Sequence, residues 1–154
     1  MKFSGEITVK APREAVFDRF KDARFFASCV EGVRDLNEVT PNQYTANFET
    51  KIAYIKFKFE VAVEMTRAER PHTIEAKIEG KPHGIVGRLS ATSGASFVDA
   101  GDETKIQYAV EATLTGRLGS IGQPVLKSKA KEMERQFVAN LRAAFPSRVE
   151  EAAP

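Results

Sequence analysis

The chain has 154 residues, of which 42% are hydrophobic and 29% charged, with a formal net charge of +2. That is long enough for one domain with a sizeable core and too weakly charged to argue for nucleic acid. No stretch approaches the roughly 18 apolar residues that a membrane span requires.

The N-terminus alternates and carries Glu6, which excludes a signal peptide. Residues 3–10 (Phe3, Gly5, Ile7 and Val9 against Ser4, Glu6, Thr8 and Lys10) spell a first strand. Pro12 suits the first turn of a short helix reaching Lys21, since its missing N–H is not needed there. Asp22 is positioned to cap a second short helix with Phe25 and Phe26. Cys29 follows as the single cysteine, so no internal disulfide forms and a reducing cytoplasm suits the chain. With no basic neighbour expected, it reads as a small buried filler.

A meander starts after Gly32. Strand two covers Val33–Val39, and strand three places Tyr44, Ala46 and Phe48 on one side. Strand four is the clearest alternation, with Ile55, Phe57, Phe59, Val61, Val63 and Met65 against Lys56, Lys58, Glu60 and Glu64. Strand five holds Ile74, Ala76 and Ile78. The run Gly80-Lys81-Pro82-His83-Gly84 reads as a turn. Strand six is expected over Ile85–Val98 and strand seven over Thr104–Thr113. After the glycine-rich run 116–122 comes one long amphipathic helix, Pro124–Phe145. Its stripe is Leu126, Ala130, Met133, Phe137, Leu141 and Ala144, opposite Lys127, Lys131, Arg135 and Arg142. The predicted order is β-αα-β6-α, over residues 1–145 as a single domain, with 146–154 as a polar tail.

One helix laid along a curved sheet cannot fill the concave face as a second sheet would. The inward face of strand six is Gly87, Leu89, Ala91, Ser93, Ala95 and Phe97, mostly small side chains. Since interiors pack at crystal-like density, either the helix sits close to that strip or a ligand occupies the space. The candidate cavity lining is Phe57, Phe59, Val61, Gly87, Leu89, Ala91, Ser93, Tyr108, Val110, Leu126, Ala130, Met133 and Phe137. Alternate turns of a meander share one end. The 50–54, 80–84 and 116–123 segments therefore form the expected mouth, with Ile52, Tyr54, Lys81, His83, Arg117, Leu118 and Ile121 gating it. Apolar tips with a basic fringe suit an anionic bilayer or a partner protein, and ordinary solvated lysines on well-packed loops give the same composition.

The sequence offers little chemistry. His72 and His83 stand eleven residues apart in proline turns, so no metal site is expected, and no nucleophile-elbow, P-loop or dinucleotide glycine pattern occurs. Tyr44 and Tyr108, on the inner face, could donate to a carbonyl oxygen in the pocket. No catalytic residue is assigned.

The element order resembles the helix-grip fold of START lipid-transfer domains, plant pathogenesis-related ligand binders and polyketide cyclases. More closely, the chain resembles the carbon monoxide dehydrogenase CoxG family over Met1–Phe145. The resemblance lies in Phe3-Ser4-Gly5-Glu6, Ala11-Pro12-Arg13-Glu14-Ala15-Val16-Phe17, Cys29-Val30-Glu31-Gly32, Gly84-Ile85-Val86-Gly87 and Thr104-Lys105-Ile106-Gln107-Tyr108. Its most specific stretch is Gly116-Arg117-Leu118-Gly119-Ser120-Ile121-Gly122, leading to Phe137 and Leu141. Glu31 stands where that family usually has proline. Many members also continue into a C-terminal membrane-attachment extension, where this sequence has only the short polar run. The resemblance implies an α+β helix-grip domain: a seven-stranded curved antiparallel sheet around a long C-terminal helix, with two short helices after strand one. It also implies a non-enzymatic accessory protein recruiting the molybdenum-containing carbon monoxide dehydrogenase to the inner face of the cytoplasmic membrane. Together with the pocket it suggests a bound menaquinone or ubiquinone, or another isoprenoid lipid. The alternatives are a cyclase- or hydrolase-like enzyme on a small apolar substrate, using Tyr44, Tyr108 or His83, and a dry docking adaptor.

Overall fold

Strand alternation, with side chains pointing to opposite faces at every step, generates most of the molecule. The computed structural model describes residues 1–145; the expected tail, 146–154, lies outside the described residues. The strands are β1 (Lys2–Val9), β2 (Val33–Thr40), β3 (Gln43–Ile52), β4 (Ile55–Glu69), β5 (Thr73–Pro82), β6 (Gly87–Ala100) and β7 (Glu103–Thr115). They form one antiparallel sheet in the order β1-β7-β6-β5-β4-β3-β2. The first strand thus closes against the last, while the rest is a meander.

Two short helices, α1 (Arg13–Lys21) and α2 (Ala23–Ser28), follow β1. Pro12 is the N-cap of α1 in extended backbone, and the Asp22 carboxylate accepts from the backbone N–H groups of Arg24 and Phe25 to cap α2. The glycine-rich run is not an open loop: Gly116–Gly119 makes a one-turn helix, α3, before α4 (Gln123–Ala144). Pro124 sits in the first turn of α4, where its missing N–H leaves no ladder bond broken.

Most strand ends shift by one or two residues, and the turn between β5 and β6 differs most from expectation. β5 continues through Lys81 and Pro82, which pair with Glu60 and Phe59, so the turn contracts to residues 83–86. β6 therefore starts at Gly87, not Ile85. A proline at a strand end loses no hydrogen bond needed by an interior ladder, which is why the Gly-Lys-Pro run does not stop β5 earlier.

The apolar interior divides in two. One cluster gathers Ile7, Val9, Val16, Phe17, Phe97, Ile106 and Leu141, with Phe20, Phe137 and Tyr108 packed on it. Its rings meet edge to face: Phe17 and Phe20 each have centroids 5.3 Å from Phe97, and Phe20 lies 5.9 Å from Phe137. The other cluster gathers Ile52, Phe57, Phe59, Leu118 and Leu126, with Phe48, Ile85, Leu89, Leu114 and Ile121 around them.

Candidate ligand site

The strand register shows what lies between the two clusters. Moving along the inner face, one row (Val61, Gly80, Leu89, Leu114) belongs to the second cluster, and another (Ile74, Ala95, Tyr108, Gly5) lies against the first. Two rows separate them: Val63, Ile78, Ala91 and Ala112, then Met65, Ala76, Ser93, Val110 and Phe3. All of these share the inner face with the two clusters, yet apart from Ala112 every one is only half-buried. Leu89 to Ala95 covers about 20 Å at ~3.3 Å per residue.

α4 spans that interval like a beam on two supports. Its buried residues are Leu126, in the second cluster, and Leu141, in the first. They lie about 22 Å apart at 1.5 Å rise per residue. Between them Ala130, Met133 and Phe137 are half-buried. Small side chains on β6 and an alanine on the helix leave these positions less buried than a close-packed interior would make them.

A cleft of about 330 Å³ lies between α4 and the β2–β3 side of the sheet, with Val30, Phe48 and Met133 as its apolar lining and Arg34, Lys51 and Lys129 among its polar rim. Of the expected cavity lining, Met133 alone borders this cleft beside α4. Lys129 is drawn in until only 16% of its side chain is exposed, 3.4 Å from Glu132. Gly32, at φ +89°, lets β2 approach β3 here; a Cβ would fall on the Glu49 carbonyl oxygen.

The expected mouth is corrected by the structure. Ile52 and Leu118 are buried and Ile121 is half-buried, all inside the second cluster. Ile52 continues the inward phase of Tyr44, Ala46 and Phe48 on β3, which points it into the molecule. Leu118 is folded under by the turn of α3. Phe57, Phe59 and Leu126 fill this end as well. Tyr54 is fully exposed at the tip as expected, and it is joined there by Ile55 at 59%, Val86 at 77% and Val125 at 36%. Ile55, expected to face inward with Phe57, instead faces solvent at the hairpin end. Ala53 and Tyr54 both take positive φ (50° and 68°), a left-handed pair that non-glycine residues seldom occupy.

The same end is electrostatically one-sided. Residues 50–58, 80–88 and 112–128 carry Lys51, Lys56, Lys58, Lys81, Arg88, Arg117 and Lys127 and no aspartate or glutamate. The whole chain nevertheless balances 23 Lys and Arg against 21 Asp and Glu. The three segments are joined: Arg117 N–H donates to the Val86 carbonyl at 2.9 Å, and His83 N–H donates to the Lys58 carbonyl at 2.8 Å. The Glu49 carboxylate behind them pairs with Lys56 at 3.2 Å, which holds its pKa below the usual range.

Other expected site residues separate by environment. Val61, Leu89, Ala91, Ser93, Tyr108, Val110, Ala130 and Met133 face the interior and are half-buried, as is Phe137, which α1 and α2 engage through Phe20 and Phe26. Gly87 is small for a different reason: a Cβ there would strike the Thr115 carbonyl oxygen, and the residue bridges to Gly116. Lys81, His83 and Arg117 are exposed, and His83 reaches the outer-face Glu60 at 3.5 Å. Tyr44 turns its hydroxyl to the Pro41 carbonyl, 2.6 Å away, and so is not a pocket donor. Burial raises the Cys29 thiol pKa, as for an inert core cysteine. Among the described residues no cluster of His, Cys, Asp and Glu is arranged to hold a metal ion, and no helix is long and apolar enough to cross a membrane.

Residues 5–145 match the carbon monoxide dehydrogenase CoxG family. No curated protein matches the sequence. Among solved structures, a conserved protein from Geobacillus kaustophilus superimposes with a TM-score of 0.86 at 23% identity, covering 94% of this chain and 95% of its own. A START superfamily protein from Mycobacterium smegmatis gives 0.71 at 14% identity, covering 94% and 96%. The Zhui aromatase/cyclase from Streptomyces sp. R1128 gives 0.69 at 9% identity, covering 94% and 92%. At these identities the likeness is one of fold, and it is the helix-grip fold expected from the element order.

Proposed function

The chain belongs to the carbon monoxide dehydrogenase CoxG family, and from that membership we propose that it is a non-enzymatic accessory protein of carbon monoxide dehydrogenase. On this reading it holds a quinone or other isoprenoid lipid between α4 and the sheet and links the enzyme to the cytoplasmic membrane. The observation that carries this is the divided interior: two apolar clusters, a half-exposed strip of small residues between them, and a helix whose two buried residues stand one in each cluster.

The energetics favour such a role. Removing a hydrocarbon chain from water gains about 0.8 kcal/mol per CH₂. A bilayer gives nearly the same gain, so exchange between membrane and protein is close to neutral. A few polar contacts then decide occupancy. A cleft of about 330 Å³, at the small end for ligand sites, accommodates a ring and the first part of a tail and leaves a long tail protruding. The tip of Tyr54, Ile55, Val86 and Val125, set among cations, supports contact with anionic lipid beside the cleft. An enzyme of cyclase type shares the fold, but it needs an ionisable pair in the interior. Tyr44 bonds to Pro41, and His83 stands outside.

The test is mass spectrometry of organic extracts of the natively purified protein. Quinone or isoprenoid lipid is expected at a fixed ratio to protein. Ala91→Phe, which fills the strip, should remove it with the fold intact. An unchanged lipid content in that variant overturns the reading. Gly87→Leu is no substitute, since it strains backbone before it narrows any space.

A further inference from the structure

The structure assigns a hydrogen-bonding role to one side chain of this interior. We propose that the Tyr108 hydroxyl is the donor to a carbonyl oxygen of the apolar ligand held beneath α4, an inference that rests on the ligand-binding reading above. Among the described residues, Tyr108 Oη is one of two buried side-chain polar atoms without a hydrogen-bond partner. The other, Arg13 Nε, belongs to a guanidinium whose Nη1 lies 3.4 Å from His72 Nδ1. Tyr108 thus pays a desolvation cost that nothing in the fold returns, and native proteins leave few such groups.

Its surroundings are shaped around it. The ring lies over Gly5, its partner on β1, so closely that a Cβ at Gly5 would sit 2.6 Å from Oη and 2.8 Å from Cζ. Glycine inside a strand weakens it and marks a place where another group must come close. On the other side Tyr108 pairs with Ala95 of β6, beside Ser93 and the strip of small residues. Its partners on both flanking strands are small, Gly5 on β1 and Ala95 on β6. Packing alone calls for phenylalanine, which the chain uses eleven times, including Phe97 in the adjoining cluster. The hydroxyl is what phenylalanine lacks, and a phenol can donate to a carbonyl without bringing a charge into an apolar space. A ketone or quinone with a hydrocarbon body is the ligand class this arrangement fits.

The experiment compares 2,3-dimethyl-1,4-naphthoquinone with 2,3-dimethylnaphthalene, the same skeleton without the carbonyls, by equilibrium dialysis against the full chain and its Tyr108→Phe variant. The expected result is about a tenfold loss of quinone affinity in the variant, the effect of one net hydrogen bond left unmade. Hydrocarbon affinity should stay within about twofold, and the melting temperature should be unchanged or higher, because an unpaired hydroxyl has gone. Infrared spectra of the bound quinone should show a carbonyl stretch at lower wavenumber in the wild type than in hydrocarbon solvent. That readout serves as well should the variant fold poorly. Equal loss for both probes, an unaffected quinone affinity, or an unshifted stretch overturns the proposal and leaves the apolar site standing. Failure of both probes to bind the wild type overturns the site and the proposal together.

Discussion

Gly5 and Tyr108 form a close-fitting pair, and each explains the other. Gly5→Ala should destabilise by about 1–3 kcal/mol, the usual cost of overpacking, because the added methyl meets the phenol ring. Chemical denaturation checks this. In a Tyr108→Ala background the same glycine substitution should cost far less, and an equal cost in both backgrounds would mean that the close approach is not the cause. A second pair predicts a pH effect. Arg70 donates from Nε to Asp18 at 2.8 Å and from Nη2 at 3.1 Å, holding the Asp18 carboxyl below its ordinary range. A carboxylate whose pKa is depressed by folding adds stability above its unfolded pKa, and that stability is lost as pH falls through the folded value. The bridge is exposed, so the effect is small. In thermal melts, the gap between wild type and Arg70→Gln should be widest above about pH 5 and should close below about pH 3.9, the ordinary aspartate value. A gap that widens in acid would contradict the sign.

At the scale of elements, α4 behaves as a beam whose supports and span have different energetic weights. Leu126→Ala and Leu141→Ala each remove a buried side chain from a packed cluster and should cost about 2–5 kcal/mol. Met133→Ala, in the cleft beside the helix, should cost clearly less, since its side chain is already partly in water. Denaturant titrations of the three variants decide it, and equal losses would show that the span is packed. This is also where legibility in the sequence begins and ends. The seven alternations and the stripe of α4 are periodic, so their elements and inward faces could be read directly. The burial of Leu118 and Ile121 could not, because the folding of Gly116–Gly119 into α3 depends on its bridge to Gly87, a contact distant in sequence. Ile52 is a different case. It shares the parity of Tyr44, Ala46 and Phe48, and that phase marks it as inward although it sits beside a hairpin tip. The cleft beside α4 has no such signal, since it is made where α4 meets β2 and β3 and no local pattern encodes that approach.

For the whole molecule, the distribution of charge and exposed apolar groups gives a direction. One end places Tyr54, Ile55, Val86 and Val125 in solvent, with cations from three segments and no carboxylate in any of them. Apolar tips alone would favour any greasy surface, and cations alone would favour any polyanion. The combination favours a bilayer bearing anionic lipid, where side chains enter the interface while lysines and arginines remain at headgroup level. The full chain should therefore float with vesicles of phosphatidylcholine and phosphatidylglycerol and bind poorly to phosphatidylcholine alone. Raising salt from about 0.05 to 0.5 M should weaken binding as the screening length shrinks. Tyr54→Ala combined with Ile55→Ser should release the protein from the anionic vesicles. It should leave intact the lipid extracted from the interior, because neither residue lies in the packed clusters or the rows between them. Equal binding to neutral vesicles, or retention of the double variant, would rule out this end as a membrane-facing surface. Loss of interior lipid in that variant would instead mean that loading passes through this tip, joining the two ends of the mechanism at one surface.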